Sequence, residues 1–248
     1  MHVIACYNIK GGVGKTATAV NLAFSAATAG SKTLLWDLDP QGSASFYFTA
    51  APDQGVKPKK LLKAKDKITR MILPTTCDGL DILPADLSLR HFDAELADAK
   101  KAHKKLLKIR EALTKEYDTL ILDCPPSISH LSDAVFFLAD VLAVPVIPTT
   151  LSMQSLAHLK TYLKDFSSGP GPSLKPFFSM ADRRKKLHRE TLTALAGQDG
   201  FCATVIPARS RIEQMGTRLT PVGGFAPGSE EAELYVALWE ELQAGVYS

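Results

Sequence analysis

Lys10-Gly11-Gly12-Val13-Gly14-Lys15-Thr16 follows a short apolar run, Val3 to Tyr7, and precedes a helical pattern that begins near Lys15. Strand, glycine loop and helix in that order form the context a phosphate-binding loop requires. Gly11, Gly12 and Gly14 let the backbone turn tightly with its N–H groups inward, where a side chain would block an anion. The first turn of the following helix adds unpaired N–H groups and the positive end of its dipole. Lys15 would set a point charge on the β- and γ-phosphates of a nucleotide, and the Thr16 hydroxyl would be a ligand of Mg²⁺. A glycine-rich turn that binds nothing accounts for neither Lys15 nor Thr16.

At 248 residues with 46% hydrophobic content, the chain can bury a substantial core, and one domain over 1–248 is expected. Charged residues at 22% argue against disorder. A formal net charge of only +3 means that any nucleic-acid binding must come from a local patch. Cys6, Cys77, Cys124 and Cys202 are scattered without metal-like spacing, so small buried thiols in a reducing cytosol are expected. The chain enters its first strand without a basic leader, and the apolar region from Ala134 to Ile147 is interrupted by Asp140 and Pro145. A cytoplasmic location follows as the expectation.

Outward from the loop, strands and helices alternate. Val20, Ala23, Phe24 and Ala27 share one helical face, and Gly30 closes that helix. Thr33–Trp36, Leu80–Leu83, Thr119–Leu122, Val141–Val146, Phe177–Met180 and Ala203–Ile206 read as further strands. Residues 50–67 read as a polar loop with a short helix, 88–115 as one long helix that can be interrupted, and 169–173 as a surface loop. Helices are expected at 152–166 and 229–244, with a Gly/Pro loop at 223–228 between the last strand and the final helix. The alternation predicts an α/β fold with a single doubly wound, mostly parallel sheet and helices on both faces. Asp37 and Asp39 end one buried strand and Asp123 ends another, and carboxylates at that edge sit where open α/β sheets bind ligands. Asp123 is placed to hold Mg²⁺ through a water.

The extra lysine ahead of the glycines makes the loop resemble the deviant Walker A motif, KGGxGKT, of the ParA/MinD family. Asp37-Leu38-Asp39-Pro40-Gln41-Gly42 and Asp123-Cys124-Pro125-Pro126-Ser127 resemble that family's other two signatures, DxDPQG and DxPPS, in the same order. The resemblance covers nearly the whole chain. It implies an ATPase using ATP and Mg²⁺, with loop residues Gly11 to Ala17 on the nucleotide and Thr16, Asp39 and Asp123 around the metal. It implies that Lys10 reaches the partner's phosphates in an ATP-dependent homodimer, and that Lys15 and Asp39 are catalytic, Asp39 orienting the attacking water. Segments similar to those ending in Asp182 and Pro207 build the adenine pocket in ParA proteins, so these two residues are assigned to the base. The family further implies non-specific DNA binding on the nucleoid, a ParB-like or cargo-adaptor protein that stimulates slow hydrolysis, and the partition or positioning of a cargo.

Several positions depart from the family pattern. Ala17 stands where many relatives carry a second threonine, and Ala208, Gly228 and Glu230 stand where basic residues are common. A rebuilt DNA surface is therefore expected from Arg183, Arg184, Lys185, Lys186, Arg189, Arg209 and Arg211, against the plainer reading of solvated surface charges. A MinD-like membrane switch is the alternative within the fold. It would need basic residues beside an apolar helical face, whereas Glu230 to Ser248 holds Glu231, Glu233, Glu240 and Glu241 and no lysine or arginine, so no membrane partner is expected. A metabolic ligase or an iron–sulfur reductase is the alternative of another class. The reductase lacks a cysteine motif, and the ligase lacks an added substrate domain. A nucleotide-binding scaffold without catalysis is disfavoured by Lys10, Lys15, Asp39 and Asp123 together.

Overall fold

The computed structural model describes residues 1–48, 65–97, 99–166, 171–195 and 200–244. The chain runs β1 (His2–Cys6), α1 (Lys15–Thr28), β2 (Thr33–Asp37), α2 (Ser43–Phe48), β3 (Leu73–Pro74), β4 (Leu80–Leu83), α3 (Phe92–Leu96), α4 (Ala99–Leu113), β5 (Thr119–Asp123), α5 (His130–Leu138), β6 (Val141–Val146), α6 (Thr150–Lys164), β7 (Ser173–Ala181), α7 (Lys186–Leu195) and β8 (Val205–Pro207). Three short turns of helix follow, α8 (Ser210–Glu213), α9 (Met215–Arg218) and α10 (Val222–Phe225), before α11 (Glu230–Ala244). The strands form one sheet in the order β3-β4-β2-β5-β1-β6-β7-β8. Every pairing is parallel except β3 with β4.

Both faces of the sheet are covered, which is why its strands are apolar without alternation. Val3 and Ala5 of β1, Leu34 and Trp36 of β2 and Leu120 and Leu122 of β5 join one core with α3, α4, α5 and α6. The intervening Ile4, Cys6, Leu35 and Ile121 join the other with α1 and α11. Leu106, Ile109 and Leu113 fill the core side of α4 as the periodicity requires. Gly30 takes φ +89° and its N–H caps the Ala27 carbonyl at 2.9 Å, ending α1.

The 88–115 helix takes its interrupted form, the Gly/Pro loop at 223–228 is corrected, and one short strand is added. The stretch 88–115 is broken into a 3₁₀ turn at Leu87–His91, α3 and α4. Asp86 caps that 3₁₀ turn through the Ser88 N–H, a local bond that competes with a continuous helix. The Gly/Pro loop at 223–228 begins as a helical turn, α10, whose otherwise unpaired first N–H, that of Val222, is received by Asn21 Oδ1 at 2.9 Å. β3 was not foreseen. Most of the polar stretch at 50–67, and residues 169 and 170 of the surface loop, lie outside the described residues. Cys6, Cys124 and Cys202 are buried thiols, Cys77 is partly exposed, and all four are free.

Candidate functional site

β1 delivers the glycine loop between its two neighbours, β5 and β6. Asn8 pins the loop's first turn. Its Nδ2 donates to the Pro145 carbonyl at 2.8 Å and its Oδ1 accepts from the Lys10 N–H at 2.9 Å. Gly14 takes φ +92°, and a Cβ there would lie 2.9 Å from Ser179 Oγ, so the site tolerates no side chain. As the residue that opens α1, Gly14 also leaves the first N–H groups of the helix without a side-chain cap. The Lys15 side chain folds back over the loop and donates to the Lys10 carbonyl at 3.0 Å. Burial lowers its pKa, while Asp123 works against that shift.

Asp37 and Asp123 are paired in register at the ends of β2 and β5, and both are fully buried. Asp37 accepts from the Ser45 N–H at 2.8 Å, the Ser45 hydroxyl at 2.7 Å and the Asp39 N–H at 3.1 Å. Burial outweighs these bonds and pushes its carboxyl up to about 6. Asp123 has neither oxygen hydrogen-bonded. Burial first, and then the neighbouring Asp37, drive its pKa well above the usual carboxylate range, against the Thr16 hydroxyl and Lys15. A buried carboxylate with no partner is costly unless a cation completes it. A divalent ion fits this arrangement, with Thr16 and Asp123 on its protein side and Asp39 at the rim. Among the described residues no cluster of three or more His, Cys, Asp or Glu offers a closed cage. Few protein ligands, with the rest supplied by water and phosphate, is the usual pattern for Mg²⁺. Bound there, the ion would neutralise phosphate charge.

These two carboxyls hold protons more readily in the folded chain than in the unfolded one. Their contribution is therefore most favourable below the ordinary carboxylate range; that of Asp37 is lost as pH rises through about 6, and that of Asp123 is lost above the ordinary range in the same direction. Asp123→Asn removes the buried charge and should raise the melting temperature of the nucleotide-free protein at neutral pH. For ~2 kcal/mol in a chain of this size the rise is on the order of 5 °C. The same variant should lose Mg²⁺-dependent turnover. Thermal melts at several pH values on both proteins check this, and a lower melting temperature for Asp123→Asn would contradict it.

Asp182 follows β7 and Pro207 ends β8, and both line one cleft of about 1010 Å³. Arg183, Arg184, Arg209 and Glu230 line it too. The Asp182 carboxylate is gripped by Arg184, through Nε and Nη2 at 2.9 Å each, and is held well below the usual carboxylate range by those bonds. Ser179 lies three residues before Asp182 on the segment that abuts Gly14, so β7 spans from the glycine loop to the base cleft.

The seven basic residues assigned to DNA are all exposed. Arg183, Arg184, Lys185, Lys186 and Arg189 occupy the turn after β7 and the first turn of α7, while Arg209, which lines the cleft, and Arg211 follow β8. Several are compensated. Arg209 lies 3.4 Å from Glu230 and 3.9 Å from Glu231, and Arg211 is bonded to Glu231. Arg184 is held by Asp182, and Lys186 is 3.7 Å from Glu190. Arg189 donates to the carbonyls of Arg183 and Arg184 at 2.9 and 3.1 Å.

The structure thus gathers Lys10 to Ala17, Asp39 and Asp123 at one sheet edge, and Asp182 with Pro207 in the adjoining cleft. Sequence reasoning missed Asn8, Ser45 and Ser179, and placed Asp37 at the ligand edge without its bonds to Ser45. Asp37 had a signal, being the strand-terminal member of the Asp-Leu-Asp pair; the others act through contacts distant in sequence.

Residues 1–175 match the family described as an AAA domain. The chromosome-partitioning ATPase Soj of Thermus thermophilus is 36% identical over 250 residues, spanning 98% of this chain and 96% of its own length. The chromosome partitioning protein ParA of Myxococcus xanthus is 30% identical, spanning 97% of this chain and 87% of its own. Among solved structures, cobyrinic acid a,c-diamide synthase of Mycobacterium smegmatis with bound ATP analog and magnesium superposes with a TM-score of 0.82 at 25% identity, over 100% of this chain and 96% of that one. Apo McdA of Cyanothece gives 0.80 at 21% identity, over 98% and 99%. With the lysine-led glycine loop and the paired strand-end aspartates in place, the chain belongs to the ParA/MinD family of deviant Walker A ATPases.

Proposed function

We propose that this protein is a cytoplasmic, nucleoid-associated ParA-type switch. ATP and Mg²⁺ join two copies across their glycine loops, the dimer binds DNA without sequence preference, and slow hydrolysis, stimulated by a ParB-like or cargo-adaptor protein, resets it to position a cargo. The observation that carries the nucleotide half is Asp123, buried with both oxygens unbonded beside Lys15 and the open start of α1. Dimerisation is supported by the rim of the same site. Gly11 and Gly12 are exposed, Lys10 is partly so, and the apolar Ile128 and Leu151 are 44% and 67% exposed on the segments following β5 and β6. An apolar border around a charged loop favours a second protein surface over open water.

A membrane-switch reading finds less support. The apolar face of α11, Ala232, Tyr235, Leu238, Trp239 and Leu242, is already packed in the core against α1. No described helix is long and apolar enough to cross a membrane.

DNA binding rests on Arg183 and Lys185, which carry no ion pair among the described residues, supplemented by the compensated arginines. Two or three phosphate contacts per subunit give a log–log salt slope of roughly −4 to −5 for the dimer, so affinity should fall by about 250- to 1,000-fold between about 50 and 200 mM salt. Fluorescence anisotropy on random-sequence duplex, with ATP and with ADP across a salt series, tests this. ATP-loaded protein that stays unbound even at low salt would defeat the nucleoid reading, and ADP release that depends on an added carboxylic-acid substrate would then favour a ligase.

A further inference from the structure

We propose that His188 is a positioning residue for the base-binding end of the site, fixing the turn that carries Asp182 through the Asp182 backbone N–H. The inference deepens the ATPase reading and rests on it. His188 lies in the first turns of α7, is only 3% exposed, and its Nδ1 accepts from the Asp182 N–H at 3.0 Å. That bond requires a ring neutral at Nδ1, with its proton on Nε2. Burial first, then Lys185, lower the imidazole pKa and keep it so, against Asp182.

The turn has reason to need a clamp. β7 shifts register against β8 between Phe178 and Ala181, and Met180 within that shift takes φ +52°, a conformation L side chains rarely adopt. Strained backbone of this kind persists where its surroundings over-determine it. Three bonds do so here. Ala208 N–H donates to the Ala181 carbonyl at 2.9 Å, Arg184 grips the Asp182 carboxylate, and His188 holds the Asp182 N–H. Since Arg184 is largely exposed, His188 is the buried member that ties the turn to the body of α7. Asp182 and Pro207 line the same cleft, so freedom at this turn changes where an acceptor meets the amino edge of adenine. Guanine presents an acceptor at that edge, and a carboxylate fixed there disfavours it.

Two variants of similar size separate the acceptor from mere bulk. His188→Asn keeps a carbonyl oxygen near the position of Nδ1, and His188→Gln moves it towards Nε2. Steady-state hydrolysis of ATP and of GTP should show the KM for ATP raised about fivefold in His188→Gln, the worth of one ordinary hydrogen bond. Its kcat should be unchanged and its preference for ATP over GTP narrowed to match, while His188→Asn stays within about twofold of wild type. Equal behaviour of the two variants, whether both intact or both impaired, overturns the proposal. A variant-free reading uses nitrogen-15 shifts of the wild-type His188 ring: a proton on Nε2 is expected, and a proton on Nδ1 overturns it. Failure of the wild-type protein to turn over ATP at all would instead sink the ATPase reading beneath it.

Discussion

Lys15→Ala should lower ATP affinity by about two to three orders of magnitude, the largest binding effect any single substitution in this chain should produce. Lys15 is buried at the base of the loop with its ammonium on the Lys10 carbonyl. A charge-assisted bond to a phosphate contributes about 1.5–3 kcal/mol, and one ammonium serving two phosphates reaches about 3–4. Converted at 1.4 kcal/mol per decade, that is the stated loss. A second consequence is local. Lys15 opposes the upward drift of the Asp123 pKa, so its removal leaves that carboxyl more firmly protonated and a poorer partner for Mg²⁺. Calorimetric titration with ATP, with and without Mg²⁺, measures both. Near wild-type affinity in Lys15→Ala would remove the foundation of the phosphate-site assignment.

Asp39→Ala should reduce hydrolysis by about two to four orders of magnitude while leaving ATP binding in place. Asp39 lies two residues past the end of β2, partly exposed, with Oδ1 taking the Gln41 N–H at 2.9 Å. One oxygen therefore remains to hold a water at the rim of the site. Asp37, so near in sequence, plays a different part. Its carboxylate holds the start of α2 through Ser45, so Asp37→Ala should unfold the protein at lower temperature. Single-turnover hydrolysis with light scattering distinguishes the two. Asp39→Ala should accumulate as an ATP-bound dimer, and a variant that hydrolyses ATP at the wild-type rate would exclude Asp39 as the catalytic carboxylate.

Much of this architecture was legible along the chain because its causes are local. Apolar runs such as Thr119–Leu122 and Val141–Val146 mark strands buried on both faces, and the glycine loop carries its own geometry in residues that must accept positive φ. The two-residue β3, with Pro74 in it, has no period to read. What only tertiary structure decided depends on residues far apart meeting in space. Asn8 braces the loop on Pro145, 137 residues away, and Ser179 closes on Gly14 from another strand. Asp37 and Asp123 perturb one another because β2 and β5 are neighbours in the sheet, not because of any spacing between them. Arg209 and Arg211 read as free charges in sequence, and the fold sets them against Glu230 and Glu231 at the start of α11. Formal charge is written in the sequence. Burial, pairing and the direction of a proton's preference arise only when the chain packs, because they depend on how much water and which opposite charge the fold leaves beside each group.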